Sequence, residues 1–423
     1  MGETSLTRRK KMLQKVATTG VDLDSTYTQT LQRIREQKGD RSRLGIEVLM
    51  WVSHAERPLG IDELRHALAV EMGSTDLDPD NIPPQDTVLG SCLGLAVVDA
   101  ETSTVRLIHY TLQEYLSSPS ILPDAHKTLG QTCLTYLNYK LVKELPVKEI
   151  SNFEDMLFLE YSSLYWGSHA KVGLSDRAKS LALELLNQAR SHISATLLIK
   201  EILILVPHSR SLPYHQWSGL HCASYFGIIE VVAALIERGG EAVILMKVTV
   251  WVLHRSCMLP PQGNEGVVRL LLTRDDINPD KPDNNGRTPL SWTSQTGHEG
   301  VANLLLARDD INPNKADNNG GTPLLWASYY KHEGVAKLLL ARNDVNPNKV
   351  NTSGATPLSW ACSQGHEGIV KLLLKRDDVN PNMPKYLDAT PLWSASLKGH
   401  QGVVRLLLAH KDVDPNSIYQ PHS

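Results

Sequence analysis

The chain has 423 residues, 41% of them apolar, with 43 Lys and Arg set against 46 Asp and Glu for a formal net charge of −3. That balance leaves no basic footprint for nucleic acid or an anionic lipid surface. The best apolar runs, 194–206 and 242–253, are short and carry Lys or Glu, so no membrane span is predicted, and the length accommodates two or three domains or a domain with a repeat array.

The N-terminal MGETSLTRRKK lacks the apolar stretch of a secretory signal, and Leu6 stands where N-myristoylation requires Ser or Thr. Arg8, Arg9, Lys10 and Lys11 read as a solvated helix end or a nuclear signal; the cytoplasm is the default location. Residues 22–56 give two amphipathic helices split at QKGDRS, and RPLGIDELRHALAVE gives a third, with Pro58 and Asp62 as start signals. After a polar loop, QDTVLGSCLGLA (85–96) reads as a helix, GLAVVDAETSTVRLIHYT as two strands around AETS, and TLQEYLSS as helix again. Helices followed by a hairpin describe a winged helix. The helix over 85–96 has no Lys or Arg to meet phosphate, which predicts a protein-packing module and no nucleic-acid partner. Residues 136–212 read as helical and connect this module to the C-terminal half.

Five widely spaced cysteines, with no pair at metal-ligand spacing, argue for a reduced compartment and against zinc. No metal, cofactor or catalytic constellation is predicted from local motifs, and the chain reads as a non-enzyme.

The C-terminal half repeats itself. Thr-Pro recurs at 288/289, 322/323, 356/357 and 390/391, a period of 34, in register with GHEG (297–300), KHEG (331–334), GHEG (365–368) and GHQG (399–402), each followed by a Leu-Leu-Leu block. GNEGVVRLLL (263–272) and WSGLHCASYFGIIEVVAALI (217–236) extend the series to six units, with residues 240–262 fitting poorly. A period between 20 and 50 means a stacked array. In one unit Thr288 suits an N-cap and Pro289 the first helical position, Gly297 ends the first helix, and Val301, Leu304 and Leu305 stripe the second. Lys331 takes the turn-glycine position, where a left-handed backbone costs about 1 kcal/mol. The histidine column His298, His332, His366 and His400 cannot share a metal, because units a helix diameter apart hold their side chains about 8–10 Å from one another. The D-x-N-x-N run at Asp310, Asn312 and Asn314 lacks the glycine and glutamate of a calcium loop and reads as turn.

TPL, W-A, GHEGV-KLLL and the loop after them resemble the ankyrin repeat over about half the chain. The resemblance implies a concave surface built from loop tips and first-helix ends that binds a protein partner. By register that surface contains Tyr225, Phe226, Gln295, Thr296, Tyr329, Tyr330, Ser363, Gln364, Leu397 and Lys398 at helix ends, with Arg287, Asn318, Asn319 and Tyr386 at loop tips. The helix-end column varies freely, so packing does not dictate it, and Tyr is a favoured anchor of interfaces. One tyrosine of the Tyr329–Tyr330 pair can alternatively pack on a neighbouring Trp. The regular Trp292, Trp326 and Trp360 predict a ladder between units. The last unit keeps Leu406, Leu407 and Leu408, so an uncapped edge and self-association are expected.

A second resemblance covers about residues 5–170. LDSTYTQTLQRI, LMWVSHAERPLGIDELRHALAVE, VRLIHYTLQEYL and LEYSSLYWGSHAK are similar to the C-terminal side of fungal-type NACHT–ankyrin proteins, which are STAND signalling ATPases; the same winged helix occurs beside proteins resembling GPI inositol-deacylases. The resemblance implies that His109, followed by Gln113 and Glu114, approaches ADP in a closed state. No G-x-x-x-x-G-K-[ST] loop is present, so that contact requires an ATPase core supplied elsewhere, and a plain hydrogen-bonded histidine on a wing strand is the simpler expectation. The expected architecture is mostly α: residues 1–40 a helical segment, 41–135 a winged helix, 136–212 a helical connector and 213–423 six ankyrin repeats, the second degenerate.

Overall fold

Tyr27, Leu31 and Ile34 recur at helical spacing, and burying them sets one face of α1 (Leu23–Arg35). The computed structural model describes residues 23–146, 156–189, 191–205, 218–238, 262–275, 277–384 and 389–415. The chain divides into two units, Met1–Gly219 and Leu220–Ser423. In the first, Gly39 (φ +63°) breaks α1 from α2 (Arg41–His54), as QKGDRS suggested. Helix α3 (Ile61–Leu68) starts differently from expectation. Gly60 is its N-cap, and Glu63 turns back to accept the Gly60 N–H at 3.3 Å while holding Arg57 bidentately at 2.7 and 2.8 Å. Pro58 lies outside the helix and Asp62 inside its first turn.

Helix α4 (Gln85–Ser91) stops short of Ala96 because Leu93 (φ +49°) and Gly94 (φ +86°) reverse the chain. The reversal feeds β1 (Ala96–Val98), which pairs antiparallel with β2 (Val105–Leu107) in the register Ala96↔Leu107. Asp99 shapes the turn between them, accepting the backbone N–H of Glu101 at 3.0 Å and pairing with Arg106 at 2.9 Å. Helix α5 (Tyr110–Leu116) follows. Then come α6 (Ala125–Leu137), α7 (Lys140–Lys143), α8 (Leu159–Ala170), α9 (Asp176–Asn187) and α10 (Ile193–Leu205). An aromatic knot joins α2, α6 and the start of α8: Trp51 meets Phe158 edge-on at 5.4 Å, and Tyr136 meets Phe158 at 5.2 Å.

In the second unit the described helices are α11 (Gly219–Phe226), α12 (Ile229–Glu237), α13 (Gln262–Leu272), α14 (Pro289–Thr296), α15 (Glu299–Leu306), α16 (Pro323–Tyr329), α17 (Glu333–Leu340), α18 (Pro357–Gln364), α19 (Glu367–Leu373), α20 (Pro391–Leu397) and α21 (Gln401–Leu408). The poorly fitting segment 240–262 lies outside the described residues except for Gln262. Every Thr-Pro is the predicted start. The hydroxyl oxygens of Thr288, Thr322, Thr356 and Thr390 accept the N–H three residues on at 3.1–3.2 Å, with Pro at the first position. Gly297, Gly365 and Gly399 take φ of +80°, +75° and +72°, and Lys331 adopts the same conformation at +66°. One apolar core runs through the stack, from Val268 and Leu290 through Val335, Leu339 and Ile369 to Leu407 and Val413.

Two polar columns clamp successive units along the loops. Arg342 reaches back to the carbonyls of Leu306 (2.9 Å) and Arg308 (3.3 Å) while holding Asp344 at 2.7 and 2.9 Å; Arg376 repeats this on Leu340, Arg342 and Asp378. The Asn314 side chain bridges forward to the Asp344 carbonyl at 2.6 Å and the Asn346 N–H at 2.7 Å. Exposed backbone groups of each turn thus find partners in the next unit, which is why D-x-N-x-N repeats.

Candidate functional site

The helix-end and loop-tip positions meet in one chain of contacts across α14 and α16. Arg287 lies with its guanidinium carbon 4.6 Å from the Trp292 ring centroid and 5.0 Å from that of Trp326. Its Nη1 donates to Gln295 Oε1 at 3.0 Å, and its Nε stands 3.6 Å from the buried Asp317 carboxylate. Gln295 then donates through Nε2 to the Tyr330 hydroxyl at 3.3 Å. Tyr330 stacks on Trp326 at 6.1 Å and leaves 42% of its surface in solvent. Asp317 accepts the backbone N–H groups of Asn319 and Gly321 and the Trp326 indole N–H at 3.0 Å, so the indole is held by its own unit's loop.

The predicted ladder of indoles therefore carries other side chains in it: Arg287 between Trp292 and Trp326, and Tyr329 against Trp360. Tyr329 is half-buried, edge-on to Trp360 at 4.7 Å and to Tyr330 at 4.8 Å. The pair thus divides its work. Tyr329 packs on the tryptophan of the next unit, and Tyr330, stacked on Trp326 and His332, keeps 42% of its surface in solvent.

Other predicted positions are distributed differently. Asn318 and Asn319 are exposed, and their backbones pair with neighbouring loop tips, Asn318 N–H to the Asn285 carbonyl and Thr352 N–H to the Asn319 carbonyl, both at 2.9 Å. Gln364 is half-buried, Leu397 (68% exposed) and Lys398 are open, and Thr296 turns its hydroxyl onto the Trp292 carbonyl at 2.9 Å. Two positions are not surface. Phe226 is buried, with Tyr225 edge-on to it at 5.0 Å. Ser363 is buried too: its hydroxyl donates to the Trp360 carbonyl at 3.0 Å and its own carbonyl pairs with His400 Nε2 at 3.2 Å. Tyr386 lies outside the described residues.

The histidine column proves to be a set of inter-unit hydrogen bonds that sequence reasoning did not identify. His332 pairs with the Gln295 carbonyl at 3.0 Å and His366 with the Ser328 carbonyl at 2.9 Å. Burial holds the His332 imidazole below its usual range, against the pull of that carbonyl. The turn glycine belongs to the same device. A Cβ at Gly297 would come within 2.4 Å of His332 Nδ1, and one at Gly365 within 2.7 Å of His400 Nδ1. Opposite Lys331, which has a Cβ, His366 presents Nδ1 to its carbonyl where His332 and His400 present Nε2.

His109 is exposed and sits past β2 as the N-cap of α5, its Nδ1 accepting the Thr111 N–H at 3.3 Å. It is hydrogen-bonded as expected, but on a helix start and not on the wing strand. Gln113 donates to the Ser53 carbonyl and so ties α5 to α2, and Glu114 is exposed. Elsewhere in this unit Glu56, His126 and His169 bring ligand atoms within 4.8 Å of one another. Burial, then the neighbouring His126 and His54, lower His169 to about 3.

The family description for ankyrin repeats (three copies) matches residues 253–351 and 334–418, and that for the winged-helix domain of GPI inositol-deacylase matches residues 29–125. None of the curated proteins matches the chain.

Proposed function

We propose that this chain, a winged-helix domain followed by an ankyrin-repeat solenoid, is a non-catalytic module that binds a protein partner through the Arg287–Gln295–Tyr330 surface. Ankyrin repeats mediate protein–protein contacts, and both matched folds are scaffold or regulatory folds. The observation that carries the assignment of the surface is the Tyr330 ring: 42% exposed, yet held in place by Trp326 behind it and Gln295 at its hydroxyl. A large aromatic already fixed in one orientation loses little entropy on contact, which is what an interface anchor requires. The test is capture of partners on the immobilised chain, comparing wild type with Tyr330→Ala and with Gln295→Ala. Partners lost in both variants support the surface; unchanged capture by both places the contact elsewhere.

A nucleotide-coupled version of this role has His109 contacting an ADP held by an ATPase core supplied in trans or upstream. The exposure of His109 beside the start of α5 favours it, and protection of that imidazole from alkylation on adding such a core with ADP tests it. Self-association belongs to the same proposal: Leu397 and Leu408 are 68% and 55% exposed on α20 and α21, where a further repeat or a second copy would pack. Sedimentation as a single species of monomer mass up to high concentration rules that part out.

A further inference from the structure

Three elements of the first unit deliver side chains to one point that the interaction surface does not use. Glu56 follows the end of α2, His126 is the second residue of α6, and His169 sits in the last turn of α8. Their ligand atoms lie within 4.8 Å of one another. The two imidazoles face each other Nδ1 to Nδ1 at 2.9 Å, with ring centroids 5.2 Å apart. His169 is fully buried, His126 half-buried and Glu56 exposed, so the point has a rigid inner wall and an open entrance.

We propose that Glu56, His126 and His169 bind one divalent transition-metal ion of the zinc class, with a fourth position left to water. Two imidazoles and a carboxylate are a known ligand set for such an ion, and imidazole selects it over magnesium or calcium. Nitrogens at about 2.0–2.1 Å from a tetrahedral ion stand about 3.3 Å from each other, so the facing pair has to open by less than about half an ångström. The outer shell is in place. His169 Nε2 pairs with the Tyr161 hydroxyl at 2.8 Å, and that oxygen also accepts the Glu56 backbone N–H at 3.0 Å. One phenol thus fixes the ring orientation of one ligand and the backbone of another, as supporting groups of metal ligands do. No ion pair of Glu56 occurs among the described residues, which leaves its carboxylate available. His54, edge-on to His126 at 5.3 Å, turns its Nδ1 to the Ser53 hydroxyl at 2.7 Å and stays outside the ligand set. Bound here, an ion pins the end of α2 to α6 and α8.

The chelator-treated 423-residue chain is titrated with Zn²⁺ by calorimetry and with Co²⁺ by visible absorption, which reports tetrahedral ligation. The expected result is one equivalent bound with a tetrahedral Co²⁺ spectrum. Glu56→Gln and His126→Gln should each weaken binding about tenfold or more, while His410→Gln, in the second unit, leaves it unchanged. Both variant positions reach solvent, so circular dichroism is expected to show the fold intact where His169→Gln would disturb it. Absence of saturable binding, or equal affinity in wild type and both variants, overturns the proposal and leaves the His126–His169 contact as an imidazole hydrogen bond.

Discussion

The guanidinium carbon of Arg287 lies 5.0 Å from the indole centroid of Trp326, one repeat further along the chain, with Trp292 of its own unit at 4.6 Å on the other side. Planar guanidinium stacks between aromatic faces where a lysine ammonium cannot. Arg287→Lys should therefore destabilise the repeat unit nearly as much as Arg287→Ala, by about 1–2 kcal/mol, because either loses the planar guanidinium packed on the Trp292 and Trp326 rings. Urea unfolding followed by Trp fluorescence measures this; full rescue by Lys would show that charge alone matters.

The two tyrosines should separate experimentally. Tyr329→Ala removes an edge contact with Trp360 inside the stack and lowers stability by about 1–2 kcal/mol with little specific effect on partner binding beyond it. Tyr330→Ala should cost less stability than Tyr329→Ala, about 0.5–1 kcal/mol, and weaken partner binding by about 2 kcal/mol or more beyond that. The reverse assignment of the two effects would contradict the geometry.

Lys331 holds a left-handed backbone at φ +66°. Replacing it by Gly should stabilise the protein by about 0.5–1 kcal/mol, whereas Gly297→Ala should destabilise it by more than the backbone term alone, since the new methyl group meets the His332 ring. Opposite signs in the two denaturation midpoints are the expected readout.

Acid sensitivity in the first unit should involve His192. Burial lowers its imidazole to about 4, with Nε2–H donated to the Leu137 carbonyl at 3.0 Å and Nδ1 accepting the Ser194 N–H at 3.2 Å. A histidine depressed in the fold contributes full stability above its unfolded value near 6.5. That stability is lost as pH falls from about 6.5 towards 4, because only the unfolded chain takes up the proton. The loss from this group is on the order of 2 kcal/mol between about pH 7 and 5. His192→Gln should be less stable at neutral pH but lose less on acidification, with both measurements made in chelator. Parallel pH profiles for the two proteins would show that His192 does not titrate as placed.

Much of this fold was readable because repetition averages out local ambiguity. Thr288, Thr322, Thr356 and Thr390 each precede a proline, and all four cap a helix, since Thr-Pro satisfies and pre-shapes a helix start regardless of context. Lys331 was identifiable as a left-handed residue from the four glycines in its column, Gly227, Gly297, Gly365 and Gly399. Burial was less readable. Phe226 and Ser363 share a helix-end register with Tyr329 and Tyr330, yet local geometry turns them inward. The reach of Arg342 and Arg376 was also missed, although the recurring R-x-D spacing signals a fixed arginine.

Sequence by itself determined the period of 34, the Thr-Pro helix starts of the repeats, their turn positions and the absence of a local phosphate-binding motif, because each depends on residues a few positions apart. Only the tertiary structure decided which side chains meet across units. Arg287 enters between two indoles, Tyr329 and Tyr330 divide between packing and exposure, and Glu56, His126 and His169 converge from three separate elements. Those outcomes depend on helix packing and rotamers, which place residues up to 113 positions apart within ångströms and leave no trace in local spacing.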